Sequence, residues 1–220
     1  MQRPLIILGT GGNALDILDL VESRPGHAPS PWRVAGFLDD ARPEGERVAG
    51  LPVLGPLAAA RRLAETGDGA FVNAIGSDAS HRERLRIIAG TGLDRPHFAT
   101  LVHPGAAVSS RVIVGPGSCI HYGASIGGNV VIGAHVTIGP GATVGHDTVI
   151  GDGAVLAPGC IVSGFVRIGR SCYVGAGSAV RQRVTIGERA LVGLGAVVLR
   201  DVPAGATVVG NPARTLRAGA

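Results

Sequence analysis

The chain is predicted to join a small Rossmann-like parallel α/β domain to a parallel β-helix, so the fold class is α/β plus β-solenoid. Three observations predict this. Every sixth residue from Val102 to Val198 is aliphatic, seventeen in succession with no insertion. Before residue 98, short apolar runs alternate with amphipathic stretches, the pattern of a parallel α/β sheet. The first of those runs leads into a glycine-rich loop and then a helical pattern. The 220 residues suffice for two modest domains, residues 1–97 and 98–220, the second ending in a short tail.

The first strand is the apolar run Leu5-Ile6-Ile7-Leu8. It is followed by Gly9-Thr10-Gly11-Gly12-Asn13-Ala14 and a helix over Ala14–Glu22. A glycine loop at a helix N-terminus exposes backbone N–H groups, which suit a phosphate. The second strand, Arg33–Leu38, ends in Asp39-Asp40, where a nucleotide-binding α/β unit meets a ribose or base. A third unit is expected from Leu51–Gly55 and a helix over Leu57–Thr66. A fourth strand, Gly69–Gly76, precedes a helix over about Ala79–Ala89. Ligands of such sheets sit at the carboxyl ends of the strands. That edge holds Gly11, Gly12, Asn13, Asp39, Asp40, Gly76 and Ser77. Too few residues precede the solenoid for a full dinucleotide fold, so a mononucleotide half-site is expected, against the plainer reading that these residues only make turns.

In the solenoid, a second column lies two residues before each aliphatic. It runs from Val112 and Ser118 through Cys160 and Cys172 to Ala196, and nearly all its members are small or β-branched. Each hexad therefore points one large and one small side chain inward, as strand alternation requires. Glycine follows the aliphatic at ten positions, among them 115, 127, 145, 169 and 193, where it is expected to permit a tight corner.

Composition narrows the function. No apolar run reaches a membrane-spanning length, and Met1–Leu8 reads as a strand start rather than a signal peptide. Three cysteines, 119, 160 and 172, fit a reducing compartment, and packing explains the inward pair, so a cytoplasmic protein without metal is expected. Every basic residue is Arg, the net charge is +4, and aromatic residues are only 3%. That argues against nucleic acid as a partner and leaves room for anionic small ligands.

The solenoid repeat and the tail Val209-Gly210-Asn211-Pro212-Ala213-Arg214 resemble the hexapeptide-repeat acyltransferases. With Gly9–Ala14, Gly36-Phe37-Leu38-Asp39-Asp40, Pro52–Gly55 and Ala74-Ile75-Gly76, the resemblance spans essentially the whole chain. It points to the sugar O- and N-acyltransferases related to sialic acid O-acetyltransferase and to the acetyltransferases of nucleotide-linked 4-amino-4,6-dideoxy sugars. The resemblance implies a three-sided, left-handed parallel β-helix with 18 residues per turn, hence roughly five and a half turns. It implies a nucleotide sugar on the N-terminal domain, acetyl-CoA on the solenoid, and a homotrimer with active sites between subunits. Two departures stand out: the family often has His where this chain has Asn13, and some members have a second His at the position of Val155.

Of seven histidines, His27, His81, His97 and His103 read as structural. His146 follows an inward aliphatic by two residues, and its neighbours one turn either way are Gly128 and Gly164, which leaves room for a ligand. The resemblance makes His146 the general base and Asp147 the residue that holds its imidazole. It also implies coenzyme A contacts along the coils at Ala176 and Leu194; backbone near Gly164 is a candidate oxyanion donor on position alone. Arg181, Arg183, Arg189, Arg200 and Arg214 are candidates for its phosphates, and each is otherwise a surface charge. His121 and His135 either contact the sugar or face solvent. The expected reaction is direct acetyl transfer from acetyl-CoA to the 4-amino group of a sugar such as GDP-perosamine or a UDP-linked 4-amino sugar, in surface polysaccharide or glycan synthesis. The alternatives are O-acetylation of a sialic acid type sugar and a non-catalytic trimeric scaffold.

Overall fold

The structure is a computed structural model and describes residues 2–22, 30–67 and 69–219; His27 lies outside them. Three parallel strands form the N-terminal sheet: β1 (Arg3–Leu8), β2 (Trp32–Leu38) and β3 (Ala70–Asn73), in the order β2-β1-β3. Leu5, Ile7, Phe37 and Val72 are fully buried, as near-continuous apolar strands covered on both faces should be. Helix α1 (Gly12–Val21) begins two residues earlier than expected, inside the glycine loop, with Gly11 as a cap that offers no side chain. Its first N–H groups are thereby left open.

Two other expectations change. The third unit supplies no sheet strand. Arg47–Val48 and Leu51–Pro52 form a small antiparallel pair, and only a single bridge from Val53 to Phe37 touches the main sheet. Its helix is a 3-10 turn at Leu57–Ala59 continued by α2 (Ala60–Thr66). The last helix, α3, covers only Arg84–Gly90. The segment before it coils into turns because Ser77 and Ser80 bond each other's backbone, with Ser77 N–H donating to Ser80 Oγ at 2.8 Å. Such local bonds compete with helix formation.

From Leu101 onward two-residue strands repeat every six residues and pair with the strand 18 residues away, as in Thr137 with Val155 and Val155 with Tyr173. They form three parallel sheets of six, five and eight strands, the last closed by an antiparallel strand at Arg214–Arg217. Both inward columns are buried from Ile120 to Val198. The column frays at its start: Val102 is 45% exposed, and Val108 and Val114 are half-buried, because no coil lies beneath the first one.

The glycines after each aliphatic work differently from the expectation. They do not adopt left-handed backbone angles; that burden falls two residues later, at Gly141, Asp147, Phe165 and their equivalents. What forbids a side chain is the next coil. A Cβ at Gly145 would lie 2.5 Å from the Gly164 nitrogen, and one at Gly169 would lie 2.5 Å from the Glu188 nitrogen. Neighbouring coils are therefore in backbone contact along every edge.

The N-terminal domain covers the eight-stranded sheet. Cys119 and Val155 point outward from that sheet yet are buried beneath it. Arg84, fully buried, donates from Nη2 to Thr137 Oγ1 at 2.8 Å, and Arg82 donates to the Gly205 carbonyl at 2.8 Å. His135 packs edge-on against Phe98 with ring centroids 4.5 Å apart. Burial, with the Arg84 charge adding, pushes the His135 pKa down to about 4.

Two tests follow from this packing. Gly169→Ala should cost about 1–3 kcal/mol, the usual penalty of overpacking. Gly159→Asn, left-handed but with nothing within 4 Å of its added Cβ, should stay within about 0.5 kcal/mol; thermal melts of both variants decide it. An unfolded histidine takes its proton near pH 6.5, whereas folded His135 takes it only near 4. The unfolded state thus binds more protons in that window, and stability falls as pH drops from about 6.5 to about 4. The urea midpoint should be lower at pH 5 than at pH 7, and His135→Asn, suited to the left-handed angle there, should reduce the difference, the buried His121 supplying part of the rest.

Candidate active site

Two regions carry the residues singled out from the sequence. The first is a cleft of about 300 Å³ at the carboxyl ends of β1, β2 and β3. Gly11, Gly12, Asn13, Asp39 and Gly76 all line it, beside Thr10 and Ser80. Asp39 is tied to the loop: its Oδ2 accepts from the Thr10 N–H at 2.8 Å and hydroxyl at 2.6 Å, and its Oδ1 accepts from the Ala41 N–H. Burial alone would raise its pKa, but those hydrogen bonds, with the Arg42 charge, hold it below the ordinary carboxylate value. Asp40 does not line the cleft; its Oδ1 accepts the Leu57 N–H at 2.8 Å and so starts the 3-10 turn. Asn13 donates to the carbonyls of Ala74 and Gly76 at 3.1 and 3.0 Å, which locks the glycine loop to the end of β3.

A smaller cavity of about 130 Å³ opens between α1 and the eight-stranded sheet. It adjoins the cleft, with Asn13, Gly76 and Ser77 lining both, and it adds Asp16, His121, Val155 and Tyr173.

The second region is the solenoid edge between the six- and five-stranded sheets. His146 is 60% exposed there, and its Nδ1 lies 2.8 Å from Asp147 Oδ2. Asp147 is itself steadied by the Asn129 side-chain amide, which donates to Oδ1 at 3.1 Å. Hydrogen bonds from His146 first and Asn129 second hold the Asp147 carboxyl below its usual range, so it is ionised at neutral pH. With Nδ1 held by a carboxylate, Nε2 is the free nitrogen. Nε2 lies over Gly164, where an added Cβ would come within 2.9 Å, so glycine there is needed for the ring to lie down. The Gly128 side is not open as expected: the Arg111 guanidinium fills it, its Nη2 2.5 Å from the position of a Gly128 Cβ.

Phe165 flanks the histidine. Its ring meets His146 edge-on at 5.0 Å, and Arg183 covers it at 4.5 Å. Asn129, Asp147, Phe165 and Arg183 succeed one another at 18-residue intervals, so the period held the signal for this flank although it was not read. Arg183 is thereby committed to Phe165; Arg189 sits 3.6 Å from Glu83; Arg200 and Arg214 line a cavity of about 510 Å³ at the far end of the solenoid.

Not all candidate positions meet in one chain. Gly164 stacks on the His146 edge. Ala176 and Leu194 stack on a different one, between the eight- and six-stranded sheets, where Leu194 is 83% exposed. His135 is interior, packed at the domain junction, whereas His121 faces the small cavity. His81 and His103 are also buried, and His97 accepts the Asp94 N–H at 3.1 Å. Among the described residues no cluster of His, Cys, Asp or Glu is placed to hold a metal, and no helix is long and apolar enough to cross a membrane.

Comparison with known proteins fits this arrangement. Residues 4–87 match the PglD N-terminal domain, and residues 129–164 match the bacterial transferase hexapeptide repeat. The acetyltransferase domain of PglB from Neisseria gonorrhoeae, solved with acetyl coenzyme A, is 32% identical over 98% of this chain and 100% of that one, with a TM-score of 0.82. This chain belongs to the PglD-like family of hexapeptide-repeat N-acetyltransferases. PerB from Caulobacter crescentus, a family relative solved with CoA and GDP-perosamine, is 30% identical over 97% of each chain, with a TM-score of 0.83. The UDP-N-acetylbacillosamine N-acetyltransferase of Bacillus subtilis is 33% identical over 119 residues, 54% of this chain and 51% of that protein, so the match spans about half the length of this curated relative.

The Asp147–His146 pair gives the family fold a defined test here. Asp147→Asn keeps the shape of the pair but removes the charge that stabilises an imidazolium; kcat should fall about 10-fold or more with an unchanged melting temperature, measured by thiol release from acetyl-CoA.

Proposed function

We propose that this protein transfers an acetyl group from acetyl-CoA to the 4-amino group of a nucleotide-linked 4-amino-6-deoxy sugar, with His146 as general base. The observation that carries the reading is the exposed His146–Asp147 pair, its Nε2 free above Gly164 on a hexapeptide-repeat solenoid. The nucleotide end of the acceptor lies on the glycine loop, whose open N–H groups at the start of α1 suit a phosphate. PerB is solved with GDP-perosamine, and the Bacillus relative is named for a UDP-linked sugar; both support an amine acceptor over a hydroxyl one.

The neutral amine attacks the thioester carbonyl, and His146 Nε2 takes the amine proton as the tetrahedral intermediate forms. Collapse breaks the carbon–sulfur bond and releases the CoA thiolate, to which the imidazolium returns the proton. Asp147 stabilises that transient cation. General-base assistance of this kind contributes about 10²–10⁴-fold, and positioning of two substrates supplies much of the remainder.

The site requires more than one copy of the chain. In a three-sided coil, the edge carrying His146 stands opposite the eight-stranded sheet, and the small cavity beside the acceptor cleft lies against that sheet at Thr137, Val155 and Tyr173. One subunit cannot bring its own His146 to its own acceptor. A second copy supplies it, and the exposed Ile113, Val131 and Val149 beside the His146 edge offer the apolar surface for assembly. A homotrimer satisfies the three-sided shape with one such site between each pair of subunits, Ala176 and Leu194 on the edge between the eight- and six-stranded sheets carrying the coenzyme.

Thiol release should be fast with one member of a panel of UDP-, GDP- and dTDP-linked 4-amino sugars and absent with its 4-hydroxyl counterpart. His146→Ala should lower kcat by about 10²–10⁴-fold without loss of folding. Mixing His146→Ala subunits with subunits blocked in the acceptor cleft by Gly11→Trp, where an added side chain meets no protein atom at its base, should restore activity; no recovery after confirmed subunit exchange would place the whole site within one chain.

A further inference from the structure

His121 is the one histidine of the small cavity, and nothing in the reaction above uses it. In its column of the repeat three of the five other coils carry glycine, at Gly139, Gly175 and Gly193, so the fold does not require a large side chain there. It is 4% exposed, and neither ring nitrogen has a hydrogen-bond partner among the described residues. A buried imidazole without partners is costly. Yet it does not figure among the sealed, unsatisfied atoms, which include His81 Nε2 and His135 Nδ1, so the open hydrogen-bonding capacity of His121 faces the cavity.

The cavity is built for a small amphipathic ligand. Ile17, Val155 and Leu156 give it apolar walls; Asn13, Thr137 and Tyr173 give it polar ones. It lies beside the cleft, and Asn13, Gly76 and Ser77 line both. We infer that His121 is a specificity-determining residue that hydrogen-bonds a ring hydroxyl of the acceptor sugar, the 3-hydroxyl beside the reacting amine. Burial, with the His103 charge adding, pushes its pKa down to about 4, so it is neutral at working pH. A neutral imidazole has one donor and one acceptor, which is what a hydroxyl offers in return. An ammonium only donates and a phosphate mainly accepts, so neither matches it as well. The apolar walls suit the methyl group of a 6-deoxy sugar.

This inference rests on the acetyltransferase reading and is tested beside it. The probes are the amino sugar of the panel that binds most tightly by calorimetry and its 3-deoxy analogue. Wild-type enzyme should prefer the hydroxylated sugar by about tenfold or more in kcat/KM, because the analogue strands a buried polar group. His121→Leu should erase most of that preference by slowing the parent sugar, while turnover of the 3-deoxy sugar changes less. His121→Gln, which keeps a donor and an acceptor, should retain part of it. Equal turnover of the two sugars by wild-type enzyme overturns the inference without any variant, as does a His121→Leu enzyme that keeps the full preference. Calorimetric binding of the same two sugars separates the readings: hydroxyl-dependent binding that His121→Leu abolishes, without acetyl transfer, sinks the transferase and keeps the contact, whereas binding indifferent to the hydroxyl sinks the contact.

Discussion

Backbone contact between successive coils is the constraint on which the rest of the molecule depends. Each strand of two residues is too short to persist alone and survives only because it pairs above and below with strands 18 residues away. That pairing demands coils so close that a methyl group at Gly145 or Gly169 would collide with the next coil. It also fixes which residues stack, and so places His146 over Gly164 and Asp147 between Asn129 and Phe165. The site inherits its precision from the scaffold, since its side chains stand on a rigid lattice of hydrogen-bonded coils.

The His146–Asp147 pair illustrates how little a fold of this kind must add to position two side chains. Asp147 occupies a left-handed backbone position, one that an aspartate tolerates better than most residues. From there its carboxylate reaches the imidazole of the preceding residue, and a side-chain amide one coil away holds its other oxygen. Phe165, in the same kind of position one coil on, is a much less comfortable occupant. Its place against His146, covered by Arg183, is consistent with strain retained at a functional site.

The N-terminal domain and the solenoid are joined by polar contacts as much as by apolar packing. Arg84 is buried with one hydrogen bond to Thr137 and an unpartnered Nε, and His135 lies beneath Phe98 with an unpartnered Nδ1. These groups hold the small cavity against one particular sheet, the one that stands opposite the His146 edge.

The sequence by itself determined the solenoid, its inward columns, the glycine loop and the candidate base, because each is written in a strict period or in a local strand–loop–helix order. The three-stranded core of the first domain was legible for the same reason; the short unit around Leu51–Gly55 was not, since an apolar run carries no mark of whether it finds a partner in the sheet. Nor does a period distinguish a glycine chosen for its backbone angle from one excluded from having a side chain by the next coil. Tertiary structure alone decided that Asp40 starts a turn while Asp39 lines the cleft, that Arg111 fills the space beside Gly128, and that His121 faces a cavity while His135 is sealed. Each depends on which element packs against a given face, and that is set by contacts between residues far apart in the chain.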